Sequence, residues 1–236
     1  MKKLATLLLL LTSIISFSQE ITGNQLLEKA IQFHDPNGNW ETFLGELFVT
    51  METPKRIPRK SKININLPQE YFSVTAKKDT IITNYTVSGN EFSISFNGNE
   101  NPSEDIKKKY SLNKERANLY KNYYTYLYGL PMKLKDEGTI IHPKVERKKF
   151  KGKEYLVLKA TYKKEVGKDT WYFYFNTKTY AMEVYQFFKD ESKNDGEYIL
   201  LSELETINGI KMPKIRAWYY NKDNKYLGTD ILSKTN

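Results

Sequence analysis

The sequence contains no cysteine. That excludes structural disulfides, thiolate metal sites and cysteine nucleophiles outright, and it removes the residue that a bacterial lipid anchor would need just after a leader. Histidine is nearly as scarce, with only His34 and His142. They lie far apart and form no H-E-x-x-H pair, so a zinc hydrolase of that type is not expected. No Gly-x-Ser-x-Gly elbow is present for a serine nucleophile. Long apolar runs are also lacking beyond the first few residues, so no second segment could cross a bilayer as a helix.

The one apolar run has the layout of a leader. Lys2 and Lys3 form a positive start, Leu4 to Ile15 an apolar centre, and Ser16-Phe17-Ser18 a small-residue cleavage site. The expectation is a signal peptide over 1–18 and a single mature domain over 19–236, exported to the periplasm rather than further outside. With no disulfide, that domain must be held by its core, and it is long enough to build one. Without Lys2 and Lys3 it carries 35 basic and 28 acidic side chains. The lysines are scattered, with short clusters at Lys107-Lys108-Lys109 and Lys148-Lys149. This suits a soluble surface, or peripheral contact with an anionic envelope surface. It does not give the dense stripe of a nucleic-acid protein.

The mature chain opens with a helix. Thr22 and Gln25 have capping-box spacing, and Leu26, Leu27, Ala30, Ile31 and His34 share one side. The turn formers from His34 to Asn39 should end it. Period-two alternation then takes over: Phe43, Gly45, Leu47, Val49 and Met51; Ile63, Ile65 and Leu67; Phe92, Ile94 and Phe96. Short turns such as Ser88-Gly89-Asn90 and Asn97-Gly98 point to antiparallel neighbours. A helical insertion follows Asn101-Pro102-Ser103, with Ala117, Tyr120, Tyr124 and Leu127 on one face and Gly129 and Pro131 at its end. Strands resume near Lys144. Trp171, Phe173 and Phe175 alternate with Tyr172 and Tyr174, and Lys193 to Gly196 marks a hairpin. Ile215, Ala217 and Tyr219 alternate with Arg216, Trp218 and Tyr220. The fold class expected is α+β: a strongly curved antiparallel sheet of about ten or eleven strands, a partial β-barrel wrapped around one or two helices. A two-sheet sandwich with helices at one end is the alternative.

Two resemblances accompany this reading. The opening amphipathic helix Leu26 to His34, Trp40, the long antiparallel run, and Asn208-Gly209-Ile210-Lys211-Met212-Pro213 before a strand resemble the order of elements in the lipoprotein-localisation factors LolA and LolB. The segments His34 to Trp40, Gly167 to Trp171, Asn194 to Tyr198 and Leu227-Gly228-Thr229-Asp230 resemble an uncharacterised family of exported envelope proteins of the Bacteroidota. The first resemblance implies a hydrophobic cavity able to take an acyl chain; no residue role carries over from either, because fold likeness does not transfer function.

The chemistry-bearing residues are few. His34 ends a helix, where a protonated imidazole is favoured, but packing or capping is the commoner role. His142 precedes Pro143 at the start of a strand. Asp35, Asn37, Asn39 and Glu46 mimic a calcium loop, but Trp40 occupies the position that requires glycine, so the segment reads as a helix-ending turn and no metal is expected. Asp169, Glu183, Glu197, Glu203 and Asp230 are glycosidase carboxylates by residue type only. Aromatic residues are abundant: 18 tyrosines, 12 phenylalanines and 3 tryptophans. They could fill a wide core or line a pocket. The function expected is a non-catalytic periplasmic binding or carrier protein for a lipid or acyl-chain ligand, without cofactor. Trp40, Tyr124, Leu127, Leu130, Met132, Trp171 and Trp218 would line its cavity. Such a site needs about 300 Å³ or more. An envelope interaction module, or a glycan hydrolase, are the alternatives.

Overall fold

The computed structural model describes residues 20–234; the leader expected over 1–18 lies outside them. Helix α1 (Gly23–His34) opens the domain with its capping box formed, Thr22 accepting from the Gln25 N–H and Gln25 from the Thr22 N–H. Five strands follow: β1 (Leu44–Glu52), β2 (Arg59–Asn66), β3 (Tyr71–Lys78), β4 (Ile81–Ser88) and β5 (Glu91–Phe96). Helices α2 (Glu104–Tyr110) and α3 (Lys114–Gly129) come next. Seven strands complete the chain: β6 (Thr139–Phe150), β7 (Lys153–Tyr162), β8 (Thr170–Asn176), β9 (Met182–Phe188), β10 (Glu197–Ile207), β11 (Ile210–Tyr220) and β12 (Tyr226–Ser233).

All twelve strands form one antiparallel sheet in the order β5-β4-β3-β2-β1-β12-β11-β10-β9-β8-β7-β6. The sheet is curved and unclosed. The class matches the expectation from sequence; the count does not, being twelve rather than ten or eleven. Two strand limits also depart from expectation, and both involve proline. Strand β6 starts at Thr139, not near Lys144, and carries His142 and Pro143 through a bulge between Ile141 and Val145. An edge strand tolerates that because one side has no ladder to break. Strand β11 starts at Ile210 and carries Pro213 opposite Leu204.

The topology dictates where the helices lie. Two meanders meet where β1 pairs with β12, so the chain leaves the first at one open edge, β5, and must re-enter at the other, β6. The connection therefore has to cross the sheet, and α2 and α3 are that connection. Helix α3 packs on β3, β4 and β5, whereas α1 packs on β6, β7 and β11. Between them they cover the concave face, whose side chains form one large core with Ala117, Tyr124, Leu127 and Tyr128 of α3. The alternation in β8 sorts as expected: Phe173 and Phe175 join this core, while Tyr172 and Tyr174 join a smaller cluster on the other face with Tyr155, Val157 and Val184. Strand β5 is looser; Phe92 remains exposed at the sheet edge.

Candidate functional site

The concave face beneath α3 is not uniformly apolar. Arg59 pairs with Met51 across β2 and β1, Met51 with Asp230 across β1 and β12, and Asp230 with Arg216 across β12 and β11. These four residues make one lateral row over adjacent strands. Its ends are three strand spacings, about 14 Å, apart. The row carries two guanidiniums and one carboxylate.

Helix α3 lays its tyrosines along the row. The Tyr123 hydroxyl donates to Asp230 Oδ2 at 2.7 Å. The Arg59 guanidinium donates to the Tyr120 and Tyr124 hydroxyls at 3.3 Å each. The Arg216 guanidinium lies over the Tyr128 ring, 3.8 Å from Cζ to centroid, a cation–π contact in a desolvated place. Arg216 is fully buried and donates from Nη1 to the Pro213 carbonyl at 2.6 Å. Its Nε and Nη2 have no partner, nor do Arg59 Nε or the buried hydroxyls of Ser61, Tyr128 and Tyr185. Burial pushes the Asp230 carboxyl up, against the Tyr123 hydrogen bond and the pull of Arg216 and Arg59. Burial likewise raises Tyr123, Tyr128 and Tyr185 well above the ordinary phenol range.

Beside the row is an apolar hollow of about 220 Å³, walled by Met51, Tyr123, Trp218, Leu227 and Gly228, with Asp230 and Glu197 at its polar side. It is smaller than the ~300 Å³ of a complete small-molecule site. Two larger clefts lie elsewhere and have charged walls. One, of about 1100 Å³, runs between α1 and β6, past Glu28, Lys29, Glu146 and Arg147. The other, of about 750 Å³, lies between β4, β5 and the start of α3.

Of the residues expected to line a cavity, Trp40, Tyr124, Leu127, Leu130 and Met132 are packed in the core, 0–7 % exposed. Trp171 is half-buried, stacked on Phe187 and met edge-on by Tyr126. Trp218 stands in the wall of the hollow, stacked on Tyr123. The polar row, Arg59, Asp230 and Arg216, was not among them. Its signal was phase: Arg216 lies in step with Ile210, Met212 and Trp218, and Arg59 with Ser61, Ile63 and Ile65, on the buried side of their strands.

Most of the remaining candidates have structural partners; Asp169 and Glu197 are half-buried carboxylates that burial pushes up. His34 Nε2 accepts from the Met182 N–H at 2.9 Å, so Nδ1 carries the proton and donates to the Lys211 carbonyl at 2.6 Å. Burial lowers its pKa to about 4. The imidazole is neutral, against the protonated form that a helix end alone would favour. Asp35 accepts from the Asn39 and Trp40 N–H groups at 2.8 Å each, a helix-ending turn. Nε2 of His142 meets Thr161 Oγ1 at 3.3 Å. Glu183 and Glu203 sit in ion pairs with Lys153 and Lys214. No cluster of three metal-ligating side chains occurs among the described residues.

The profile of DUF6503, a family of unknown function, matches residues 2–234. No curated protein matches the sequence. Among solved structures, a LolA-superfamily protein from Nitrosomonas europaea superposes with a TM-score of 0.51 at 12% identity, covering 90% of this chain and 92% of that one. A DUF1329-family protein from Desulfovibrio piger superposes with a TM-score of 0.48 at 10% identity, covering 90% and 92%. The first likeness establishes a LolA-like fold.

Proposed function

The chain belongs to DUF6503, a family of unknown function, and we propose that it is an exported, non-catalytic carrier that holds a lipid or acyl-chain ligand between the concave sheet and α3. The observation that carries this reading is the hollow walled by Met51, Tyr123, Trp218 and Leu227, which opens beside a helix that the topology lays across an unclosed sheet. Burial of apolar surface there would drive binding at roughly 25 cal/mol per Å². Because the hollow is below the size of a whole ligand, the reading requires α3 to move off the sheet as the chain enters. Trp40, Tyr124, Leu127, Leu130, Met132 and Trp171 would then become the deeper lining. Export and a periplasmic site rest on the leader pattern of residues 1–18. Peripheral contact with an anionic surface rests on the excess of basic over acidic side chains alone, since on the outer face Lys148, Lys153 and Lys159 are paired with Glu146, Glu183 and Glu191.

Bromine quenches indole fluorescence at contact, so a brominated long-chain fatty acid tests the site directly. Titration should quench part of the tryptophan emission with saturation, and Trp218→Phe should remove most of that quench. No saturable quench below the onset of micelles would contradict the reading.

A further inference from the structure

Every polar group taken out of water needs a partner, and an unpaired buried charge is costlier still. The row Arg59–Met51–Asp230–Arg216 violates that requirement in one direction only. It carries one more positive than negative charge, and what it lacks is acceptors. Arg216, fully buried, makes no well-formed hydrogen bond from Nε or Nη2; its polar neighbour there is the neutral Tyr185 hydroxyl, and the protons of Tyr128 and Tyr185 are free to donate. His34 contributes no charge, since burial and the Met182 N–H hold it neutral. Glu197 also lines the hollow, but it stands on β10 opposite Tyr220, outside the row, and burial favours its neutral form. One monoanion would balance the charge and satisfy the donors together.

We infer that the concave face carries an anion site, with Arg216 as its principal donor and Arg59 as its second charge, and that the ligand is an amphiphile with a single negative head, a carboxylate or a phosphate monoester. This deepens the carrier reading and rests on it. The geometry sets the order of parts. The hollow at Met51, Trp218 and Leu227 takes apolar chain, and the guanidinium lies across the row from it, beyond Asp230. Tyr128 now covers Arg216, and its ring leaves the guanidinium when α3 lifts. The head then meets a planar fork of N–H donors that suits two oxygens of one group, in a place where Asp230 is already held by Tyr123 and does not compete for Arg216 at hydrogen-bond range.

The test compares laurate with 1-dodecanol, of equal chain length, together with acetate and inorganic phosphate, by calorimetric titration of the wild-type protein at pH 8. Laurate should bind at least about tenfold more tightly than dodecanol, the effect of a charge-assisted hydrogen bond, while acetate and phosphate bind far more weakly. Arg216→Met, which keeps the volume and removes the charge, should abolish the difference and leave dodecanol binding intact. Its melting temperature should hold or rise, because the empty site no longer buries an unpaired charge. A structural arginine would instead lower it. Equal affinity of laurate and dodecanol overturns the anion site and leaves the carrier. Binding of neither overturns the carrier reading itself. Acetate or phosphate binding as tightly as laurate overturns the amphiphile in favour of a free anion. Should Arg216→Met not fold, Arg59→Gln decides: a narrowed laurate–dodecanol difference supports the site, and an unchanged one contradicts it.

Discussion

At the residue scale, the buried polar side chains divide into those that are satisfied and those that are not. His34 is the satisfied kind. Its ring links the end of α1 to β9 and β11 through two backbone groups, and its pKa falls to about 4 because burial disfavours the imidazolium. The unfolded chain, with an ordinary value of 6.5, therefore binds more protons than the folded one between those limits. His34 stabilises the fold fully above pH 6.5, and that contribution is lost as pH falls towards 4, on the order of 3 kcal/mol over the window. Urea unfolding of wild type and His34→Gln at pH 7.5 and pH 4.5 should show the variant losing less stability on acidification. Equal losses would contradict the assignment. Such roles were only half legible. The sequence placed His34 at a helix end, but its two partners come from strands almost 150 and 180 positions away. The alternation around Arg216 left its face unassigned and Asp230 was singled out by type alone, because a charged residue in a strand ordinarily faces water. Only the company it keeps in phase, Ile210, Met212 and Trp218, shows which side it takes.

At the element scale, the strands and helices were legible because their periods differ, and their limits failed where proline entered. Pro143 and Pro213 normally argue against strand, yet one lies on the edge strand beside a bulge and the other near Glu203, which adopts a left-handed φ of 54°. The helical insertion and its end at Gly129 were legible, but not its break: Ser111 takes a left-handed φ of 54° and Asn113 caps a second helix, so α2 and α3 are separate, and the position of α3 over the polar row depends on strands that pair only in three dimensions. The C-terminal end of α3 is closely packed. A Cβ on Gly129 would come within 2.2 Å of Trp40 Cζ2, and that indole is buried and packed against Phe43. Gly129→Ala should cost about 1–3 kcal/mol by overpacking, a drop of several degrees in melting temperature for a domain of this size. An unchanged melting temperature would show that Trp40 yields and that the helix end is not pinned there.

At the scale of the whole molecule, one fact organises the rest: two meanders pair at β1 and β12 and leave β5 and β6 as distant open edges. Crossing between those edges puts a tyrosine-bearing helix over the concave face, and the sheet beneath it presents an apolar hollow next to unpartnered guanidinium N–H groups. The general picture, curved sheet around helices, was legible from alternation, short turns and the need to cover α3. The packed state of the interior was not, since the same aromatic residues serve a solid core or a lined pocket.

Native mass spectrometry of the protein, purified without detergent from cells that export it, tests the carrier account most directly. The account predicts a population one long-chain amphiphile heavier than the polypeptide, stripped by organic extraction and restored by one equivalent of laurate. The polypeptide mass alone, before and after incubation with laurate, would contradict it.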